Sequence, residues 1–70
     1  MSKIPTLLRL PDVMKRTGLP RSTIYARIAK DAFPRQIQLA PRTVCWIEGE
    51  ITEWIESKII SSRAFLSMGG

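Results

Sequence analysis

Ile47, Ile51, Trp54, Ile55 and Ile59 recur at intervals of three and four residues, the spacing that gathers side chains on one face of an α-helix. The period predicts a helix over residues 48–60. Glu48, Glu50, Glu53 and Glu56 fall on its other faces, weighted toward the start, where the helix dipole favours them. Upstream the period changes. Ile37 and Leu39 alternate with Gln36 and Gln38, and beyond "APR" Val44 and Trp46 alternate with Thr43 and Cys45. Period two on both sides of a Pro-containing turn predicts a β-hairpin over about residues 35–46. Pro41 suits the second position of a tight turn, which leaves Arg42 at the tip.

Two shorter helices precede the hairpin. Pro11 and Asp12 open the first, over residues 11–17, and Gly18 is a natural left-handed terminator behind it. At two turns this helix depends on packing. The second spans residues 21–30 and stops before Pro34. At 100° per residue, Ile24, Tyr25 and Ile28 share one side, while Ser22, Thr23, Ala26, Arg27 and Lys30 share the other. Ser22 or Thr23 is a candidate cap. Residues 1–6 read as a loose arm, residues 7–60 as the folded domain and residues 61–70, which lack a period and end in Gly-Gly, as a disordered tail. The order helix, tight turn, helix, hairpin, helix predicts a mostly α fold with a small β-hairpin, a winged helix-turn-helix.

Composition narrows the chemistry. Seventy residues make one small domain, without disulfide or metal support. Cys45 is the single cysteine and there is no His, so an internal disulfide is impossible and a zinc site is disfavoured. Cys45 reads as a semi-buried small hydrophobe, and a lone thiol suits a reducing compartment. No apolar run has the length of a signal peptide or membrane span, so a cytoplasmic, nucleoid-associated protein is expected, with no membrane partner. The net charge of +5 is unevenly placed. Residues 1–46 carry nine bases and two acids, net +7, and residues 47–70 carry two bases and four acids, net −2. A basic first two thirds suggests a polyanionic partner, with double-stranded DNA foremost. Without His, and with the acids mostly on the third helix, no acid–base pair or activated nucleophile is visible, so neither an enzyme nor a cofactor is expected.

The second helix of a helix-turn-helix enters the major groove, where bases differ in their donors and acceptors. That assigns base reading to Arg27, in the middle of the polar face, and phosphate contacts to Arg21 and Lys30 at its flanks. Ser22 and Thr23 stand where hydroxyls either meet DNA or cap the helix. Tyr25 either donates its hydroxyl to a phosphate or packs its ring. Arg35, Arg42 and Thr43 are the corresponding hairpin positions. An Arg at a hairpin tip either clasps DNA or remains a solvated turn residue. Trp46 and Trp54 fall on apolar faces and are assigned to the core rather than to base stacking. Lys15 and Arg16 complement the dipole of the first helix, with phosphate contact as the alternative.

"RLPDVMKRTGLPRSTIYARIAKDAFPRQIQL" followed by "VCWIEGEITEWI" resembles the AlpA-like phage and prophage regulators, small winged-helix proteins related to excisionases and to the DNA-binding heads of MerR-type regulators. The best-matching pieces are "RLPDV", "TGL", "RSTIY", "FP" at Phe33–Pro34 and the W-I-E-x-E-I-x-E-W-I pattern over residues 46–55. The resemblance implies DNA binding through the second helix and the wing, in transcription control, prophage excision or both. On matching positions it points to Arg21, Ser22, Thr23, Tyr25 and Arg27 and to the wing around Arg42. Two departures stand out. Pro20 replaces a capping Ser, and "APR" replaces a more Gly-rich wing turn.

A sequence-specific transcriptional regulator is therefore the expected function. An excisionase that bends DNA and recruits integrase is the nearest alternative, and a protein-interaction adaptor is the alternative of another class. Candidate protein partners are a second copy on repeated sites, integrase and RNA polymerase.

Overall fold

A computed structural model describes the backbone of residues 5–69 and the side chains of residues 5–64. The first helix, α1 (Leu10–Thr17), begins one residue earlier than expected, with Arg9 as its N-cap. The Arg9 carbonyl accepts the N–H groups of Asp12 and Val13, both at 3.0 Å. Pro11 occupies the first turn, where its missing N–H costs nothing. Gly18 ends the helix at φ 73°, donating its N–H to the Met14 carbonyl at 2.8 Å. Thr17 contributes a second tie: its hydroxyl donates to the Val13 carbonyl at 2.8 Å and accepts the Leu19 N–H at 3.2 Å.

Helix α2 (Arg21–Ala29) starts directly after Pro20, which is its N-cap and supplies no side-chain hydrogen bond. The expected cap at Ser22 or Thr23 is not formed. Both residues already lie inside the first turn, and a capping side chain must precede the first helical residue. Lys30, expected to be the last helical residue, is instead the C-cap. Asp31 then turns the chain through φ 62°, a left-handed conformation that Asp tolerates better than most residues.

The hairpin consists of β2 (Ile37–Ala40) and β3 (Thr43–Ile47), with Pro41 and Arg42 forming the turn. Ile37 pairs with Cys45, Gln38 with Val44 and Ala40 with Thr43, so Leu39 sits at a bulge. A third strand, β1 (Leu7–Leu8), pairs antiparallel with the other edge of β3, giving the order β1-β3-β2. This strand was not expected, because two residues are too few to show a period. The alternation in the hairpin maps only partly onto burial. Cys45 and Trp46 are both buried in the central strand, whereas Ile37 and Leu39 on the edge strand stay exposed.

Helix α3 (Glu48–Gly69) corrects the expected boundary at residue 60 and makes residues 61–69 helical where a disordered tail was expected. There is no Pro or Gly between Glu50 and Met68, so no residue interrupts the hydrogen-bond ladder or lowers helix propensity sharply. Gly70 and residues 1–4 of the expected arm lie outside the described residues.

The core draws one or two side chains from nearly every element: Leu8, Val13, Ile24, Phe33, Cys45, Trp46 and Ile51. Val13, Ile24, Trp46 and Ile51 have no accessible surface. Trp46 is the central block. Its indole N–H donates to the Pro34 carbonyl at 3.0 Å, and Tyr25 meets its ring edge-on at 6.3 Å. Arg16 on α1 forms an ion pair with Glu48 at 2.6 Å, bracing α1 against the start of α3. Among the described residues no helix is long and apolar enough to cross a membrane.

Candidate nucleic-acid interface

Packing decides which side of α2 is left to solvent. Ile24 is fully buried, and Tyr25 and Ile28 pack on the core cluster. The opposite face forms a shallow groove lined by Ser22, Thr23, Ala26, Arg27, Lys30 and Ala32. Because Pro20 caps without a side chain, the Ser22 and Thr23 hydroxyls are not used in capping. Ala26 contributes only a methyl, which keeps the middle of the helix low.

The structure brings Ser22, Thr23, Arg27 and Lys30 together, and places the other predicted residues elsewhere. Arg21 is exposed at the start of α2, its guanidinium carbon 5.8 Å from the Tyr25 ring centre. The Tyr25 ring takes the packed alternative, wedged against Trp46. Arg35 is highly exposed and makes a long 3.4 Å contact with Asp31, too exposed and too long to hold it firmly. Arg42 occupies the hairpin tip and is exposed, and Thr43 opens β3 half-buried. These hairpin residues lie outside the α2 groove.

Arg27 is less free than its place on the helix suggests. The residue is half-buried, and its Nε is buried without a hydrogen-bond acceptor. Its guanidinium carbon lies 5.9 Å from the ring centre of Trp54 on α3. Trp54 was expected to be a core residue. It does touch the core, meeting Phe33 edge-on at 4.7 Å, yet it remains half-exposed. Its indole N–H donates to the Ala32 carbonyl at 2.9 Å, and Lys58 places its ammonium 5.4 Å from the same ring. The association of Arg27 with α3 has no local signal in the sequence; the i, i+4 spacing of Trp54 and Lys58 indicates only that Lys58 lies beside that ring. No cluster of metal-ligating side chains occurs among the described residues.

Two helices meeting at a glycine turn, the second with an open hydroxyl-and-cation face, followed by a β-hairpin and a third helix, define a winged helix-turn-helix. Within that class the chain belongs to the family described as prophage CP4-57 regulatory protein (AlpA), which it matches over residues 6–59. It is 46% identical over 56 residues to an uncharacterized protein, ORF88, of Enterobacteria phage P4, a match covering 80% of this chain and 64% of that protein. The chain thus spans less than two thirds of the phage relative's length. It is also 38% identical over 58 residues to the DNA-binding transcriptional activator AlpA of Escherichia coli K12, covering 74% of this chain and 83% of the relative.

Proposed function

We propose that this chain is a sequence-specific double-stranded DNA-binding regulator of transcription from a phage, prophage or other mobile element. The observation that carries the proposal is the α2 groove, where Ser22, Thr23, Arg27 and Lys30 converge on one exposed face immediately after the Gly18 turn. An α-helix fits the major groove, Arg recognises guanine with two hydrogen bonds, and hydroxyls reach bases or phosphates. In this reading Arg27 reads a base, while Arg21, Lys30 and Arg35 neutralise phosphates. Arg42 and Thr43 bring the wing onto an adjacent groove, and Tyr25 contributes at most its hydroxyl. Family membership and the name of the E. coli relative support the same conclusion. A single module of this kind buries only about 600–1,000 Å² of its own surface. Two copies on repeated sites, or a protein partner such as RNA polymerase, would supply the remaining specificity.

Selection of bound sequences from a random DNA pool, followed by footprinting and a salt titration, tests the proposal. The expected result is an enriched motif, with affinity falling by about 0.9 log unit per log unit of salt for each phosphate neutralised. Binding that enriches no motif would refute sequence-specific reading. Stimulated excision in a reconstituted integrase reaction, without reporter activation, would replace the regulator by an excisionase.

A further inference from the structure

The acidic third helix carries a basic element that the α2-centred reading does not use. Arg27 and Lys58 approach one indole ring, at 5.9 and 5.4 Å from its centre. The ring is fixed on two sides, by its N–H bond to the Ala32 carbonyl and by the edge of Phe33. Among the described residues neither cation forms an ion pair with a carboxylate; the two pairs formed are Arg16–Glu48 and Arg35–Asp31. Two like charges held against one ring repel each other, and the buried Arg27 Nε lacks an acceptor. Such a site is better satisfied with an anion beside it than without one. Ala32, whose carbonyl anchors the indole, also lines the α2 groove, so the assembly adjoins the proposed reading face.

We propose that Arg27, Trp54 and Lys58 act as one unit at the junction of α2 and α3. The Trp54 ring positions the Arg27 guanidinium for base reading, and Lys58 takes a backbone phosphate, extending the DNA-binding surface onto α3. The proposal rests on the DNA-binding reading above and deepens it. The ring faces attract the cations through the aromatic quadrupole. The indole N–H bond keeps the ring from rotating, so the long Arg27 side chain is ordered before DNA arrives and loses less entropy on binding. Trp54 is thus a positioning residue, and Lys58 a direct contact to phosphate.

The test measures affinity for selected and random duplexes across a salt series, with four single variants and the Arg27→Ala/Trp54→Leu double variant. Lys58→Met keeps the aliphatic stem over the ring and removes the charge. It is expected to weaken both duplexes alike and to reduce the salt slope by about 0.9, one phosphate's worth. Trp54→Leu removes the ring and is expected to lose selectivity for the selected duplex by about the same factor as Arg27→Ala. The double variant should then be little worse than either single one, because both remove the same function. Trp54→Phe retains a ring, folds with a smaller packing defect and loses the N–H bond to the Ala32 carbonyl, so its loss of selectivity should fall between those of the parent and Trp54→Leu. Full selectivity in this variant overturns the role given to the indole bond. Thermal melts of each variant identify any loss that is merely unfolding, and for a Trp54→Leu that unfolds, the Phe variant and Lys58→Met carry the decision. An unchanged salt slope in Lys58→Met, or additive losses of selectivity from Arg27 and Trp54, overturns the proposal. A wild-type chain that binds neither duplex overturns the DNA-binding reading itself, which is a distinguishable result.

Discussion

Gly18 and Gly49 permit a sharp test of what holds the helix-turn-helix in shape. A Cβ at either position meets no atom within 4 Å beyond the adjoining residues and, at Gly49, the local helix backbone. Replacement by Ala therefore creates no clash, and the effect must come from the backbone alone. Gly18 sits at φ 73°, in the left-handed region, whereas Gly49 lies in the first turn of α3. Forcing Ala into the left-handed region costs about 1–2 kcal/mol. Restricting the unfolded chain returns about 0.4–1 kcal/mol of that. Gly18→Ala is accordingly expected to destabilise by about 1 kcal/mol. For Gly49→Ala only the favourable terms remain, and a stabilisation of about 0.5 kcal/mol is expected so near the helix start. The same substitution at two equally open sites should thus act with opposite signs. Urea unfolding followed by far-ultraviolet circular dichroism will show it. With a slope of about 1 kcal/mol per molar urea, the two midpoints should separate by about 1.5 M. In a domain of this size the melting temperature of Gly18→Ala should fall by about 4–8 °C. A Gly18→Ala variant as stable as the parent, or a Gly49→Ala variant less stable than it, would refute the assignment of the turn to backbone conformation.

Three further outcomes are expected. Ile51→Ala empties a site with no accessible surface and should cost about 2–5 kcal/mol, a large share of the stability of so small a domain; a loss below about 1 kcal/mol in urea unfolding would show that the core closes over the cavity. Arg16→Ala removes an ion pair whose two side chains are 42% and 34% exposed and should change stability by less than about 1 kcal/mol, a loss that shrinks further in high salt. Arg42→Ala should weaken selected and random DNA by similar factors, whereas Arg27→Ala should cost about 1–3 kcal/mol on the selected sequence and relax one base position; titration of the two variants against both duplexes tests both statements.

Most of the scaffold is legible in the chain because its cues are local. Gly18 stops α1 through its own backbone freedom, Pro41 sets the hairpin turn through its own ring, and the spacing of Ile51, Trp54 and Ile55 marks the packed face of α3, although Ile59, expected on the same face, is exposed. The polar face of α2 is read as easily, since Ile24 and Ile28 orient the helix and leave Ser22, Thr23, Arg27 and Lys30 on the other side. The lone cysteine, expected to be semi-buried, is buried in the central strand.

What escaped the sequence is whatever depends on residues distant in the chain. The strand Leu7–Leu8 exists only because β3 offers it a free edge, and two residues carry no period of their own. The exposure of Ile37 and Leu39 follows from their place on an edge strand with a bulge, while Cys45 and Trp46 are both covered because their strand is central. The helical course of residues 61–69 was hidden by the lack of an apolar stripe, although no breaker stands in the way. Arg27 shows the limit most clearly. Its spacing within α2 places it on the open face, but where its guanidinium rests is decided by Trp54, twenty-seven positions further along the chain. Local periodicity determines which way a side chain leaves its helix. Only tertiary packing determines what a long, charged side chain meets once it has left.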